Sequence, residues 1–177
     1  MQNVFHCDKN AVSINENWLR FLKQRACESP LRRSRLCLHR KAEDAVHEMI
    51  IVMCNDVLFR PHRHLVKTES LHIIEGVLDV ILFNYVGIPE EAIRMGPIGS
   101  GLNFCYRLSV PQFHAVLPHS DFVVMYETTM GPYVEGDAEF AAWSPTEPND
   151  LRAFLVDSAA KARSRGSKSA LAPPTSG

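Results

Sequence analysis

Two histidines and a glutamate between residues 60 and 76 have the types and the spacing of metal ligands. His62 and His64 are two residues apart, which puts both imidazoles on the same face of an extended strand. Glu69 follows a short polar link, and a hairpin at that link would return its carboxylate to the level of the histidines. Imidazole nitrogens and a carboxylate suit one divalent transition metal, namely iron, zinc, manganese, nickel or copper. His114 is the best candidate for a fourth ligand.

The alternation of side chains along the strand that begins at Glu69 predicts that a nearby histidine, His72, is not a metal ligand. Leu71 and Ile73 share a face with Glu69, whereas His72 lies on the opposite face. If the carboxylate of Glu69 points into the fold, the imidazole of His72 points away from it. We therefore expect that His72 is not a ligand, although it is close to Glu69 in the sequence.

The spacing H-x-H-x4-E-x6-G, from His62 to Gly76, resembles the first signature motif of the cupin superfamily. Further strings are similar to those of the WbuC-type cupin metalloproteins: SPLRRSRLCLH at 29–39, RPHRH at 60–64, KTES at 67–70 and TTMGPY at 128–133. The similarity extends over roughly residues 10–145. The resemblance implies a small double-stranded β-helix with one metal ion inside and an association with polysaccharide genes, but it implies no particular substrate.

The segment around His114 departs from the second cupin motif. In cupins this motif has a proline, a glycine-containing turn and then the remaining histidine ligand. Here Pro111 precedes His114, but the turn is shortened and the glycine is missing. An apolar strand over 115–117 follows, as the motif requires. The resemblance therefore implies that His114 is a ligand, and the alternative is a histidine of the core or of the surface.

Polar side chains near these motifs are candidates for acting on a substrate. Tyr126 and Glu127, on opposite faces of the strand predicted at 122–129, could transfer protons beside the metal. The alternative is that both are structural polar groups with satisfied hydrogen bonds. The candidates for substrate binding are Lys67, Arg60, Arg107 and Tyr133. An ammonium at Lys67 would hold a carboxylate or a phosphate, and the alternative is an ordinary solvated lysine in a turn.

A cluster of arginines precedes the strand predicted at 36–38. Arg32, Arg33 and Arg35 could bind a phosphate or a carboxylate of a substrate. The alternative is a solvated strand or a contact in a homodimer. A cluster of like charges without further evidence favours this alternative.

The fold predicted from the pattern of elements is all-β. Between residues 35 and 129 the chain reads as short strands separated by Gly, Pro and Asn turns, which is typical of a jelly roll. We expect a helical arm over 1–30, a β-barrel domain over 31–145, a short helical extension over 146–165 and a disordered tail over 166–177.

Composition limits the partners of the chain. A net charge of −1 gives no long-range attraction to nucleic acid or to an anionic membrane, and no apolar run reaches the length of a membrane span. The first residues lack the features of a signal peptide, which favours a cytoplasmic protein with free thiols. We expect a small polar or anionic ligand, no nucleic-acid or membrane partner, and a surface that allows a homodimer.

Two classes of function fit these expectations. The first is an enzyme of the isomerase or epimerase type that acts on a small polar metabolite, such as a sugar or a sugar-nucleotide of polysaccharide biosynthesis. An Fe(II)-dependent oxygenase is the alternative chemistry on the same ligands. The second class is a non-catalytic, metal-stabilised ligand-binding module. A ligand shell closed to solvent favours a structural metal, and an open metal face backed by polar groups favours an enzyme.

Overall fold

The computed structural model describes residues 2–166, and this part of the chain forms eleven strands and two helices. In the first half the elements are β1 (Val4–His6), α1 (Glu16–Glu28), β2 (Arg33–Cys37), β3 (Val46–Cys54), β4 (His62–His64), β5 (Glu69–Glu75) and β6 (Leu78–Phe83). In the second half they are β7 (Pro89–Met95), β8 (Cys105–Leu108), β9 (Phe113–Pro118), β10 (Phe122–Met130), β11 (Ala138–Phe140) and α2 (Pro148–Ser164). Apart from Gly166, the tail predicted to be disordered lies outside the described residues.

The strands form two sheets packed as a sandwich. One has six strands in the order β1-β2-β3-β10-β5-β8, and the other has five in the order β11-β4-β9-β6-β7. After β3 the chain passes back and forth between the sheets, and the pairs are antiparallel except β1 with β2. This topology confirms the predicted jelly roll of the cupin type, with a helix before it and a helix after it.

The predicted hairpin between the histidines and Glu69 is wrong. β4 belongs to the five-stranded sheet and β5 to the six-stranded sheet, so residues 65–68 cross from one sheet to the other. Glu69 therefore faces His62 and His64 from the opposite sheet and does not pair beside them. The sequence motif had fixed the spacing of these residues but not the sheet to which each strand belongs.

Each helix packs against part of the outer face of one sheet, α1 on β2 and β3 and α2 on β6, β7 and β9. Leu22 and Ala26 of α1 are fully buried in the same core cluster as Leu36 and Val52 of the six-stranded sheet. The cap of α1 is Asn15, whose side chain accepts a hydrogen bond from the backbone of Asn17. On the other side, α2 packs on β6 and β7 through Leu151, Leu155, Ala159 and Ala162. Both helices lie outside the sandwich, so the space between the sheets is lined by side chains of the strands and of the segments that connect them.

A buried carboxylate fixes α2 to the five-stranded sheet. Asp79 of β6 has no exposed surface, and its oxygens lie 2.5 Å from Arg94 Nε, 2.8 Å from His119 Nε2 and 2.6 Å from Arg163 Nη1. Because Arg163 belongs to α2, this network joins the helix to the sheet.

Neither helix within residues 2–166 is long and apolar enough to cross a membrane.

Candidate metal centre

Four side chains from three separate segments meet between the sheets. His62 and His64 come from β4, and His114 comes from the neighbouring strand β9, where it pairs directly with His62. Each of the three histidines contributes one ring nitrogen to the cluster, and these three nitrogens lie within 4.8 Å of one another. Glu69 reaches them from the other sheet, with Oε1 3.1 Å from His114 Nε2 and Oε2 3.6 Å from His64 Nε2. The structure thus brings together all four residues predicted as ligands.

Backbone carbonyls orient two of the imidazoles in the same way. His62 Nδ1 lies 3.0 Å from the carbonyl oxygen of Arg60, and His114 Nδ1 lies 3.0 Å from that of Gln112. Because a carbonyl oxygen only accepts, each Nδ1 carries the hydrogen, and each Nε2 is the atom that a metal would bind. For His114 this requires loss of the proton that Nε2 shares with Glu69 Oε1 in the metal-free site. Both bonds to carbonyl oxygens join residues two apart, so they depend on the local turn before each ligand.

A buried nitrogen of His64 without a hydrogen-bond partner in the described chain also indicates a metal site. Its Nδ1 is buried and has no hydrogen-bond partner among the described residues. A buried polar atom without a partner is costly unless something else occupies the position beside it. Imidazole nitrogens and carboxylate oxygens are common ligands of divalent transition metals. The donor set of three imidazoles and one carboxylate therefore fits a transition metal.

The electrostatics of the cluster keep three of its four donors in the forms that metals require. Burial, assisted by His114, lowers the pKa of His62 to about 4, and burial also lowers the pKa of His64. Burial opposes ionisation of Glu69, but the hydrogen bond and charge of His114 outweigh it and lower the pKa of the carboxyl. At neutral pH these two imidazoles are therefore neutral and the carboxylate is ionised, as metal ligands must be. Burial opposes protonation of His114, but the hydrogen bond and charge of Glu69 outweigh it and raise the pKa of the imidazole, so a metal would have to displace a proton from His114.

The ligand cluster forms part of the wall of an open cavity of about 500 Å³. This volume is typical of sites for small molecules. The remaining lining combines an apolar surface with three charged residues. The apolar part includes Ile51, Phe59, Leu71, Val116, Met125 and Phe140, and the charged residues are Arg33, Arg35 and Glu127. A metal held by the cluster would face this cavity.

Glu127 is the one proton-transfer candidate that the structure places in the cavity. It lies on β10 beside Leu71 of β5, the strand that carries Glu69. Burial and the charge of Glu69 raise the pKa of Glu127 to about 7, against the opposing effects of Arg35, His114 and Arg33. A carboxyl with a pKa near 7 can both accept and return a proton at neutral pH.

Tyr126 does not have the predicted position beside the metal. It lies on the outer face of β10, opposite to Glu127, because successive side chains of a strand point to opposite faces. Its hydroxyl donates a hydrogen bond to Glu48 Oε1, and burial together with this bond raises the pKa of Tyr126 to about 12. Tyr126 is therefore a structural polar group, which was the alternative interpretation of its sequence.

The residues predicted to bind substrate lie outside the cavity lining. Lys67 Nζ is 2.5 Å from Asp137 Oδ2, so its charge is already compensated. Arg60 donates to the carbonyl oxygen of Ala141 at 3.0 Å. Tyr133 is 63% exposed, and Arg107 is exposed on β8 between the inward-facing side chains of that strand. These four predictions followed from proximity to the motifs along the sequence, which does not give proximity to the metal site in space.

Two charged residues of the cavity, Arg33 and Arg35, were not among the four residues predicted to bind substrate. They belong to the arginine cluster for which an anion site was one of two interpretations. The signal that could have selected them is their spacing, because two residues apart on a strand means one shared face. Arg32, between the helix and β2, points elsewhere and forms an ion pair with Asp56, with Nε 2.9 Å from Oδ2.

Comparison with known proteins supports the fold. A family model described as a domain of unknown function, DUF6016, matches residues 14–95, which is less than half of the chain. None of the curated proteins matches the sequence significantly. The crystal structure of protein SO0799 from Shewanella oneidensis is similar over 86% of this chain and 96% of that one, with 10% identity and a TM-score of 0.55.

Two structures with cupin names align less closely. The cupin domain of Cnp3 from Schizosaccharomyces pombe covers 56% of this chain and 64% of its own, with 14% identity and a TM-score of 0.44. A cupin superfamily protein from Desulfitobacterium hafniense covers 55% of this chain and 76% of its own, with 11% identity and a TM-score of 0.43. The fold itself rests on the strand order and on the long alignment with SO0799. The chain has a cupin jelly-roll fold whose signature residues converge on one site.

Proposed function

We propose that this protein is a metal-dependent enzyme that acts on a small polar metabolite, with a sugar or a sugar-nucleotide as the favoured class. The observation that carries the proposal is the position of the ligand cluster, which opens onto a cavity of about 500 Å³. A structural metal site has its ligand shell closed by protein, whereas a catalytic site keeps positions open for substrate or water. The resemblance to WbuC-type cupins supports the choice of a sugar of polysaccharide metabolism.

The residues of the site have separate roles in this proposal. His62, His64, Glu69 and His114 would hold the metal, which when bound polarises an oxygen of the substrate as a Lewis acid. Glu127 lines the same cavity and would take a proton from the carbon adjacent to the polarised carbonyl group. It would return the proton to that carbon in an epimerisation or to the carbonyl carbon in an isomerisation. Its pKa of about 7 suits this exchange at neutral pH. The reaction class is therefore isomerisation or epimerisation.

Glu127 also favours an enzyme over a non-catalytic binding module. An ionisable carboxyl that lines an apolar cavity loses hydration, and the resulting cost needs a compensating role. A module that only binds a ligand through a metal has no need for such a group. An oxygenase would use the same metal ligands but would not require a proton acceptor at this position.

The test is proton exchange by the metal-loaded protein in deuterium oxide. Wild-type protein is incubated with a panel of sugar-nucleotides and free sugars, with and without oxygen, and deuterium uptake is followed by NMR. We expect uptake at one carbon of one substrate class without oxygen. Glu127→Gln should retain metal and lose uptake, and His114→Ala should lose both. Oxygen consumption in place of exchange would indicate an oxygenase, and no turnover by fully loaded protein would indicate a binding module.

A further inference from the structure

We propose that Arg33 and Arg35 form an anion subsite that binds the carboxylate or phosphate group of the ligand held at the metal. The inference deepens the proposed function and rests on it for the nature of the cavity. It names the ligand as an organic anion, with an oxygen group for the metal at one end and an oxyanion at the other.

The two guanidinium groups enter the cavity from one strand. Arg33 and Arg35 are separated by one residue on β2, so their side chains share a face, and both line the cavity. Ser34 between them is buried, and its hydroxyl donates to the carbonyl oxygen of Leu22 in α1 at 2.7 Å. This bond fixes the strand against the helix and thereby sets the direction of its neighbours.

Neither guanidinium forms an ion pair in the described part of the chain, although both feel the charge of Glu127 across the cavity. Within residues 2–166, six other arginines form ion pairs with carboxylates, but Arg33 and Arg35 form none. Burial and the charge of Arg35 lower the pKa of Arg33, and the charge of Glu127 opposes this shift only in part. Two unpaired cations facing one cavity repel each other, and an anion between them would relieve this repulsion.

The ring of Phe59 holds Arg33 in a useful orientation. The guanidinium carbon of Arg33 lies 4.7 Å from the centre of the ring, which also lines the cavity. A ring that packs against a guanidinium leaves most of its N–H groups available to oxygen acceptors. Carboxylate and phosphate both accept paired bonds from such a group.

The sheet places the arginines at a distance from the metal ligands. Two strands, β3 and β10, lie between β2 and β5, and the row that begins at Arg35 passes through Ile51 and Met125 to Ile73, four residues along β5 from Glu69. The backbones of Arg35 and Glu69 are therefore offset by about 14 Å across the sheet and by about 13 Å along the strands. Ile51 and Met125 give the cavity an apolar surface on the side of the arginines. A ligand that reaches both the arginines and the metal therefore needs a chain or a ring between its metal-binding oxygen and its anionic group.

The test is calorimetric titration of metal-loaded protein with succinate, with glycerol 3-phosphate and with glycerol as the uncharged control. We expect one or both anions to bind and glycerol not to bind. Arg33→Met and Arg35→Met should each weaken anion binding by about tenfold or more, and the double variant should lose it. Arg107→Met, which removes an exposed arginine from the outside of the barrel, is the matched control and should bind as wild type does.

Metal content is measured for every variant, and the titrations are repeated after treatment with EDTA. Anion binding that survives metal removal but not the double substitution would support the subsite even if the metal proposal failed. Preference for succinate or for glycerol 3-phosphate identifies the oxyanion. Failure of both anions to bind wild-type protein would overturn the subsite, as would a double variant that binds them as tightly as Arg107→Met does.

Discussion

Glu69 Oε1 lies 3.1 Å from His114 Nε2, although the strands that carry them belong to different sheets. The contact joins β5 of the six-stranded sheet to β9 of the five-stranded sheet across the interior of the sandwich. An ion bound by these two residues and by His62 and His64 would therefore connect the sheets. Metal binding and the stability of the whole barrel should be coupled as a result.

Removal of the metal should lower the melting temperature of the protein. A ligand that binds only the folded state at about 100 times its dissociation constant adds about 2.7 kcal/mol to the free energy of unfolding. EDTA should remove this stabilisation, and restoring the metal should restore it. Scanning calorimetry of wild type and His114→Ala checks the prediction. The variant should melt at the same temperature with and without EDTA, and an EDTA effect as large as that of wild type would contradict the role of His114.

His62, His64 and Glu69 could be predicted as candidate ligands because their spacing is a local property, whereas His114 followed from the resemblance to the second cupin motif. The pairing of β4 with β9, and the passage from β4 into the other sheet, depend on contacts far apart in the chain. For this reason the motif predicted Glu69 as a ligand, while the hairpin inferred from the same motif was wrong. The fold class could be predicted because the sequence of residues 35–129 contains many short strands separated by turns.

The cavity residues were harder to predict because sheet register decides which face a side chain occupies. The sequence of β10 showed that Tyr126 and Glu127 are on opposite faces, but not which of them faces the metal. The pairing of Glu127 with Leu71 answers this question. Similarly, Arg33 and Arg35 precede His62 by more than 25 residues, so nothing near the motif marked them as its neighbours.

Glu127→Gln should change how the stability of the metal-free protein depends on pH. Burial and Glu69 raise the pKa of Glu127 from 4.5 to about 7, so in this interval the folded state retains a proton that the unfolded state releases. The stability contributed by this proton is complete below pH 4.5 and is lost as the pH rises through 7. The variant cannot ionise and should be more stable than wild type at pH about 8, by up to about 3 kcal/mol.

Urea unfolding of both proteins near pH 5 and near pH 8 measures this difference. Metal loading adds a positive charge beside the carboxyl and should reduce the advantage of the variant, because a cation favours the ionised form of Glu127. Equal stabilities of the two metal-free proteins at both pH values would show that Glu127 titrates normally, and would remove its proposed part in proton exchange.

Asp79→Asn should destabilise the junction between α2 and the sheet. Burial opposes ionisation of Asp79, but hydrogen bonds from Arg94, His119 and Arg163 outweigh it and lower the pKa of the carboxyl. Loss of the buried charge should cost about 3 kcal/mol or more at neutral pH. The wild-type contribution is present above pH 3.8 and lost as pH falls through the lower folded pKa.

Asp157→Asn is the matched control for this substitution. Its carboxylate is an exposed partner of Lys161 within α2, so its loss should cost about 0.5 kcal/mol or less. Urea denaturation of the two variants at neutral pH makes the comparison. If Asp79→Asn proved as mild as the control, the network would not be what fixes α2 to the sheet.

Gly76→Ala tests the turn that ends the motif strand. Gly76 has a φ of +83°, and a Cβ there would lie 2.1 Å from the backbone oxygen of Phe122. The expected cost is about 3 kcal/mol or more, because the backbone strain adds to a collision with main chain. Gly99 has a φ of +90° but no atom within 4 Å of its Cβ position, so Gly99→Ala should show the strain alone, about 1–2 kcal/mol. Equal losses in chemical denaturation would mean that the close approach at Gly76 relaxes without cost.

The metal content of three purified, untagged proteins tests the central claim most directly. Elemental analysis should find about one transition-metal ion per chain in wild type, as expected for one site of four ligands. His72→Ala removes a histidine from the outer face of β5 and should keep the same content. His62→Ala combined with His64→Ala should contain almost none. Full occupancy in the double variant, or a wild type that binds no transition metal when supplied with one, would contradict the account.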